Sequence, residues 1–363
     1  MADGRQNPDE KNRKKFLILS IDGGGIRGLI PATVLVRLES LIREKRKDNG
    51  SIGEYFDLIA GTSTGGILAC LYLTPESKEN PCKARFEAAK IRDFYLEHGE
   101  EIFQRSLWQR ITASGGILDE KYNAGQLEDH LKTYLGDLEL KDLMKPCLIT
   151  GYNVRQYRPI FFTKQDADNP ATNYKVRDVA RATAAAPTYF EAALPESLDN
   201  IRDEFPVIDG GVFANNPTAC ALVEAIKKGR GKVDDGNFMG VPFEDIVILS
   251  LGTGRKSTTI TYKECKNWGL IGWARPLVGI IMEGVSQTVD YQMQNIFESQ
   301  NKKEDYLRID GEFDDFRNGL AVDGLDSSLD CATYENMQKL VTFGELLTQK
   351  FEGDLKKFVN KFF

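Results

Sequence analysis

The chain has 363 residues, of which 41% are hydrophobic and 28% charged, so it is long enough to form one large α/β domain or two of ordinary size. The formal net charge of −7 argues against a nucleic-acid-binding protein that works by neutralising phosphates. The hydrophilic residues 1–14 lack an apolar signal segment, and no run of about 18 apolar residues predicts a membrane span. We therefore expect a cytoplasmic protein.

Side chains that commonly bind metals are few. The six cysteines form no C-x-x-C pair and have no regular spacing, and the only histidines are His98 and His130. This set is typical of a reduced intracellular protein and predicts neither a zinc cluster nor another metal site.

Strand-like and helix-like segments alternate along the chain after a solvated tail at 1–14. Apolar segments predict strands at 16–21, 55–60, 145–154, 158–163, 205–212 and 244–254. Helical spacing predicts helices at 29–46, 90–103, 124–135, 176–187 and 334–351, within a mainly helical region from about residue 285. The alternation predicts a three-layer α/β/α sandwich with a mainly parallel central sheet, whose chemistry gathers at the carboxyl ends of the strands.

A glycine-rich turn follows the first predicted strand and contains G-x-G-x-x-G at Gly23, Gly25 and Gly28. A dinucleotide-binding loop needs an acidic residue at the end of the next strand to hold a ribose, but the sequence there reads GTSTGG. A nucleotide-cofactor enzyme is therefore the alternative interpretation rather than the favoured one.

The GTSTGG segment places G-x-S-x-G, from Gly61 to Gly65, between a predicted strand and a helix. In this context the motif is typical of a nucleophile elbow, whose sharp turn exposes the hydroxyl of the central serine, here Ser63. The simpler alternative is a tight turn whose serine caps the helix. The strand–turn–helix context favours Ser63 as a nucleophile.

A serine nucleophile needs a base, and histidine is the usual one. Both histidines fall in amphipathic helical segments, where partly solvated positions are the simpler interpretation. Asp209 is the better candidate, because it ends a predicted strand before Gly210 and Gly211 and its burial at the sheet edge would raise the pKa of its carboxyl group. An ordinary Asp–Gly turn is the alternative.

The tetrahedral intermediate of acyl transfer needs hydrogen-bond donors for its oxyanion. The glycine loop offers the amides of Gly23, Gly24 and Gly25 beside the first predicted helix, so we expect these amides to form the oxyanion hole. For Arg27, three roles stay open: fixing the loop, binding a lipid phosphate, or forming a structural ion pair.

Three motifs, in this order, resemble the patatin-like phospholipase family. DGGGIRG at 22–28 is similar to the family's oxyanion loop, GTSTGG at 61–66 to its nucleophile elbow, and DGG at 209–211 to its D-G-[AG] motif. Further segments that resemble the family are ATAAAPTYF at 182–190, LSLGTG at 249–254 and, as in plant patatins, ENMQKLVTFGELL at 335–347. The resemblance covers nearly the whole chain.

The resemblance implies a single domain over 15–363, with a catalytic core of about 15–222 and a C-terminal strand and helical part over 223–363. It also implies a Ser–Asp dyad without histidine that hydrolyses fatty-acyl esters of phospholipids, lysophospholipids or galactolipids, with no metal or cofactor. In that dyad Ser63 forms the acyl-enzyme and Asp209 is the general base.

A hydrophilic start and reduced cysteines fit a bacterial, cytoplasmic member of the family that acts at the inner membrane surface. Some bacterial relatives are antiphage effectors that cyclic oligonucleotides activate, so the resemblance suggests a cyclic nucleotide activator as a hypothesis. A homo-oligomer is a further open alternative.

The apolar segment from Trp268 to Met282 has Arg275 as its only charged residue. Tryptophan suits a membrane interface, which predicts a lid or lipid-entry element here. A core helix that covers the sheet is an equally good interpretation.

Overall fold

A computed structural model describes residues 14–103, 124–187, 189–199, 205–232, 237–255 and 260–363. Within them, a sheet of seven strands forms the centre of the fold. The strands are β1 (Phe16–Ile21), β2 (Leu58–Gly61), β3 (Cys147–Asn153), β4 (Arg158–Thr163), β5 (Val207–Asp209), β6 (Ile246–Leu251) and β7 (Tyr306–Ile309). Apart from residue 14, the predicted tail lies outside the described residues.

The sheet is mainly parallel, as the sequence predicts. Its strand order is β4-β3-β2-β1-β6-β7, and β5 also pairs with β3. The five neighbouring strands β3, β2, β1, β6 and β7 run parallel to one another, whereas β4 and β5 are antiparallel to β3. The strand β7 has no counterpart among the predicted strands, because its four residues, YLRI, include an arginine and give too short an apolar signal.

Helices cover both faces of the sheet. They are α1 (Leu29–Arg46), α2 (Ile52–Tyr55), α3 (Thr64–Tyr72), α4 (Ala88–Phe103), α5 (Ala124–Leu135), α6 (Val176–Thr183), α7 (Gly211–Ala214), α8 (Thr218–Lys228), α9 (Tyr262–Cys265), α10 (Leu270–Ser299), α11 (Tyr334–Lys350) and α12 (Glu352–Phe362). None of the helices in the described ranges combines the length and the apolar character that a membrane span requires.

Alternate residues of β1 belong to two separate cores, as expected of a strand that is covered on both faces. Leu17, Leu19 and Ile21 pack into the larger core with α1, α3, α4 and α11. Ile18 packs into the smaller core with α8 and α10. This arrangement confirms the predicted three-layer α/β/α sandwich.

Candidate active site

Ser63 lies on the sharp bend between β2 and α3, where the G-x-S-x-G motif predicts it. Its backbone has φ 54° and ψ −124°, a conformation that non-glycine residues rarely adopt and that is concentrated at functional sites. The flanking glycines are required by close approach: a Cβ atom on Gly61 would overlap the carbonyl of Gly65, and one on Gly65 would overlap the carbonyl of Ile21. The bend therefore holds the serine at the carboxyl end of β2 and the start of α3.

Neighbouring hydroxyl groups fix this bend. The N–H of Ser63 donates to Oγ1 of Thr183 at 2.9 Å, and Oγ1 of Thr62 donates to the carbonyl of Ala214 at 2.6 Å. The sequence predicts an exposed serine hydroxyl, but Ser63 is only 6% exposed. It lines a pocket instead, because residues of α4, α5 and α10 also lie over the elbow.

Asp209 ends β5 and lines the same pocket as Ser63. The residue is 2% exposed, and its Oδ1 accepts a hydrogen bond from the N–H of Gly211 at 2.7 Å. Its Oδ2 has no hydrogen-bond partner among the described residues. One carboxylate oxygen is thus anchored, and the other is buried and uncommitted.

Burial raises the pKa of the Asp209 carboxyl group to about 6, while the Ser63 hydroxyl and the Gly211 amide lower it. The serine is therefore close enough to stabilise the carboxylate, although it does not complete a hydrogen bond of normal geometry with Oδ2. Gly210 and Gly211 follow Asp209 directly. Position 210 requires glycine, because a Cβ atom on Gly210 would overlap Thr150 of β3. The fold thus brings together the serine and the aspartate that the sequence analysis selected.

The glycine loop supplies two free donors rather than the three predicted ones. The N–H of Gly23 donates to the carbonyl of Asn215 at 3.0 Å, so it is not available to an oxyanion. The N–H groups of Gly24 and Gly25 form no hydrogen bond with the described residues, and Gly25 lines the pocket with Ser63. The structure therefore reduces the candidate oxyanion donors of this loop to Gly24 and Gly25.

Thr64 offers a third donor that the sequence analysis did not include. It is the first residue of α3, so its N–H has no acceptor within the helix. It lines the pocket beside Ser63, and the residue after the nucleophile supplies an oxyanion donor in many elbows of this type. The G-x-S-x-G motif carried this signal, because the position after its serine opens the helix.

Buried side chains from distant parts of the chain fix the glycine loop. The guanidinium of Arg308 donates two hydrogen bonds, at 2.9 and 2.7 Å, to the carboxylate of Asp22. Burial raises the pKa of Asp22 to about 6, although this cation lowers it. The carbonyl of Gly23 accepts hydrogen bonds from Thr253 at 2.8 Å and from Asn215 at 3.4 Å. These partners could not be predicted from the motifs, because only the fold brings them to the loop.

Arg27 contacts its own loop. Its Nε donates to the carbonyl of Gly24 at 3.4 Å, and its guanidinium carbon lies 5.8 Å from the centre of the Phe313 ring. Burial lowers the pKa of this guanidinium. Of the three roles open to Arg27, these contacts support fixing the loop.

Gly28 of the same loop is needed for packing, because a Cβ atom there would overlap the hydroxyl of Thr64.

The pocket is mostly apolar away from Ser63, Thr64 and Asp209. Its lining includes Phe94, Tyr95 and Ile102 from α4, Leu127 from α5 and Met282 from α10. The cavity volume is about 40 Å³, which is small beside the roughly 300–1,000 Å³ of ligand pockets.

Neither histidine lines this pocket. His98 on α4 and His130 on α5 stack on each other, with 4.1 Å between their ring centres. Because the chain contains no other histidine, the carboxylate of Asp209 is the base candidate that the fold places beside Ser63.

A serine on a strained strand–turn–helix bend, a buried carboxylate and free backbone amides share one apolar pocket, which is the arrangement of a serine-type ester hydrolase. The sequence model of the Patatin-like phospholipase family matches residues 19–222, which include the loop, the elbow and Asp209. The chain belongs to this family of lipid acyl hydrolases.

Known relatives extend the match over most of the chain. It is 35% identical to Patatin-like protein 3 of Arabidopsis thaliana, over 92% of this chain and 80% of that protein. It is 34% identical to Patatin-like protein 1 of Oryza sativa subsp. indica, over 93% of this chain and 82% of that protein. A solved structure, human GIVD cytosolic phospholipase A2 in complex with methyl gamma-linolenyl fluorophosphonate, is similar with a TM-score of 0.45 and 12% identity, over 99% of this chain and 60% of that one.

Proposed function

We propose that the chain hydrolyses fatty-acyl esters of membrane phospholipids and lysophospholipids, with Ser63 as nucleophile and Asp209 as general base. The observation that carries this proposal is the uncommitted Oδ2 of Asp209, which is buried in the pocket that the strained serine also lines. Membership of the family supports a lipid ester as the substrate.

The geometry supports a reaction in two halves. Oδ2 of Asp209 takes the hydroxyl proton as Oγ of Ser63 attacks the ester carbonyl carbon, and the amides of Gly24, Gly25 and Thr64 bind the oxyanion. Collapse breaks the ester bond, the leaving alcohol takes the proton from Asp209, and the acyl group stays on Ser63. Water then attacks the acyl-enzyme and gives a proton to Asp209, and the fatty acid leaves as Ser63 regains its proton.

The pKa of Asp209 suits this role. A carboxyl group with a pKa of about 6 is mostly ionised at neutral pH and is a stronger base than an ordinary aspartate.

The family match and the loop geometry weigh against the nucleotide-cofactor alternative, because Gly25 of the loop lines the serine pocket.

A fluorophosphonate probe tests the nucleophile. We expect one label per chain on the peptide that contains Ser63, detected by mass spectrometry. Ser63→Ala should remain unlabelled, whereas the matched change Ser40→Ala, at an exposed serine of α1, should label normally. Lipid turnover that continues in Ser63→Ala, or labelling at another serine, would exclude Ser63 and reopen the alternative.

Helix α10 supports a route from the membrane to the pocket. Its Met282 lines the pocket, whereas Trp273, Leu277, Ile280 and Ile281 are 38 to 45% exposed. Their spacing places these four side chains on one face of the helix. An exposed apolar face on a helix that also reaches the acyl pocket fits the lipid-entry role better than the core-helix alternative.

Activation by a cyclic oligonucleotide, an antiphage role, action at the inner membrane surface and homo-oligomerisation stay predictions from the resemblance. Mass spectrometry of lipid turnover, with and without a panel of cyclic di- and trinucleotides, tests the activator. An unchanged rate with every member of the panel would exclude it.

A further inference from the structure

The two histidines of the chain meet at a contact between α4 and α5. His98 and Glu101 lie one turn apart on α4, and His130 faces them from α5. One ligand atom from each of the three residues lies within 4.8 Å of those of the other two. Nε2 of His130 is 2.9 Å from a carboxylate oxygen of Glu101.

We propose that His98, Glu101 and His130 form a binding site for a divalent transition metal ion of the zinc class. Two imidazoles and one carboxylate are a ligand set that zinc proteins use, with water in the remaining position. Metal–ligand distances near 2.1 Å place the ligand atoms of a tetrahedral ion about 3.4 Å apart. Small side-chain rotations therefore close the present cluster around an ion.

Aromatic neighbours orient the ligands. The ring of His98 packs edge-on against Phe94 at 5.5 Å, and its Nε2 is hydrogen-bonded to the hydroxyl of Tyr134 at 3.2 Å. The side chains of His98 and His130 are 23% and 18% exposed, so an ion and its water ligands reach them from solvent.

The charges around the cluster favour a cation. A carboxylate oxygen of Glu97 lies 3.8 Å from Nε2 of His98, and Lys90, at 3.4 Å from Glu97, offsets part of that negative charge.

The ion would join two walls of the acyl pocket. Phe94 and Ile102 come from α4, and Leu127 comes from α5. A metal ion that binds the folded arrangement and not the unfolded chain stabilises the fold and fixes the separation of these helices. The proposal does not depend on the hydrolase mechanism, because its test measures binding.

Calorimetric titration of untagged, metal-stripped, full-length protein with Zn²⁺ tests the site. We expect one ion per chain and a higher midpoint of thermal unfolding in its presence. Glu101→Gln and His130→Gln should each weaken binding by about tenfold or more. The matched control Asp129→Asn removes an exposed carboxylate of α5 outside the cluster and should bind as the wild type does.

Spectroscopy identifies the ligands independently. Because the chain has only two histidines, its imidazole ¹⁵N signals report on this site alone, and both sets should shift when Zn²⁺ binds. Co²⁺ should bind without thiolate absorption, which distinguishes the site from the exposed Cys82. Unshifted imidazole signals at saturating Zn²⁺, a thiolate band, or equal binding by ligand variants and control would overturn the proposal.

Discussion

The carboxyl group of Asp209 should set the acid limb of the enzyme's pH profile. Its pKa is about 6, mainly because burial disfavours the charged form. A general base must be ionised, so kcat/KM for a soluble ester should rise about tenfold per pH unit below this pKa and level off above it. A series of initial rates between pH 4 and 8 measures this midpoint.

Asp22 provides the control for that profile, because burial raises its pKa to about 6 as well. If Asp209 governs the rate, Asp22→Asn lowers the plateau at most and leaves the midpoint in place. A midpoint that disappears in Asp22→Asn would assign the pH dependence to the glycine loop instead.

The ionised carboxylate of Asp209 should lower the free energy of unfolding at neutral pH. The pKa of Asp209 is higher in the folded chain than the usual 3.8, so ionisation favours the unfolded state as pH rises from about 4 to 6. A shift of about two pKa units corresponds to about 3 kcal/mol. We expect Asp209→Asn to be inactive and, by urea unfolding, more stable than the wild type at pH 8 by up to this amount, but not at pH 4. A variant that is less stable at pH 8 would contradict this ionisation account.

Residues whose signal is local were predictable from sequence, whereas those that depend on long-range contacts were not. Ser63 and Asp209 lie in short motifs at the ends of apolar strands, and the structure places both in one pocket. Gly23 lies in an equally clear motif, yet its N–H is bound to the carbonyl of Asn215. Nothing in the motif signals that contact, because it joins segments 192 residues apart.

At the scale of the element, changes to the exposed face of α10 should slow the hydrolysis of membrane-bound substrate more than that of soluble substrate. Replacing Leu277 and Ile281 by serine removes apolar surface from the exposed face without touching Met282 in the pocket. We expect hydrolysis of liposomal phospholipid to fall by about tenfold or more while hydrolysis of a soluble ester stays near wild type. Parallel rate measurements on the two substrates give the ratio.

Tyr291 provides a matched control on the same helix. It is 69% exposed and lies beyond the pocket-lining turn, so Tyr291→Ser should leave both rates unchanged. Equal losses on both substrates in the Leu277 and Ile281 variant would indicate structural damage. Unchanged liposome activity would remove this face from the entry route.

Long elements with clear periodicity were predicted best, and short ones worst. The helices at Leu29–Arg46 and Ala124–Leu135 have the predicted bounds. The strand predicted at 55–60 begins only at Leu58, because Ile52–Tyr55 forms a helical turn held by a capping box. The helical turn Ile52–Tyr55 and the strand β7 have only four residues each, which is too few for a periodicity to be detected. Local hydrogen bonds or sheet neighbours therefore decide their conformation.

At the scale of the whole molecule, the site depends on chain well beyond its motifs. The family match ends at residue 222, but β6 and β7 extend the sheet that carries the elbow. Thr253, Met282 and Arg308 then reach the glycine loop or the pocket from this later part. The C-terminal third therefore acts as a structural support of the active site as well as a cover for the sheet.

Arg308→Met tests this support. The side chain of Arg308 is 8% exposed and that of Asp22 is 3% exposed, so removing the cation leaves a buried carboxylate without its partner. Breaking such a pair costs about 3–5 kcal/mol, and we expect the free energy of unfolding in urea to fall by about this amount. Adding Asp22→Asn removes the unpaired charge and should restore part of the loss. A double variant as unstable as Arg308→Met, or a single variant with no loss, would show that this ion pair does not hold the loop to the sheet.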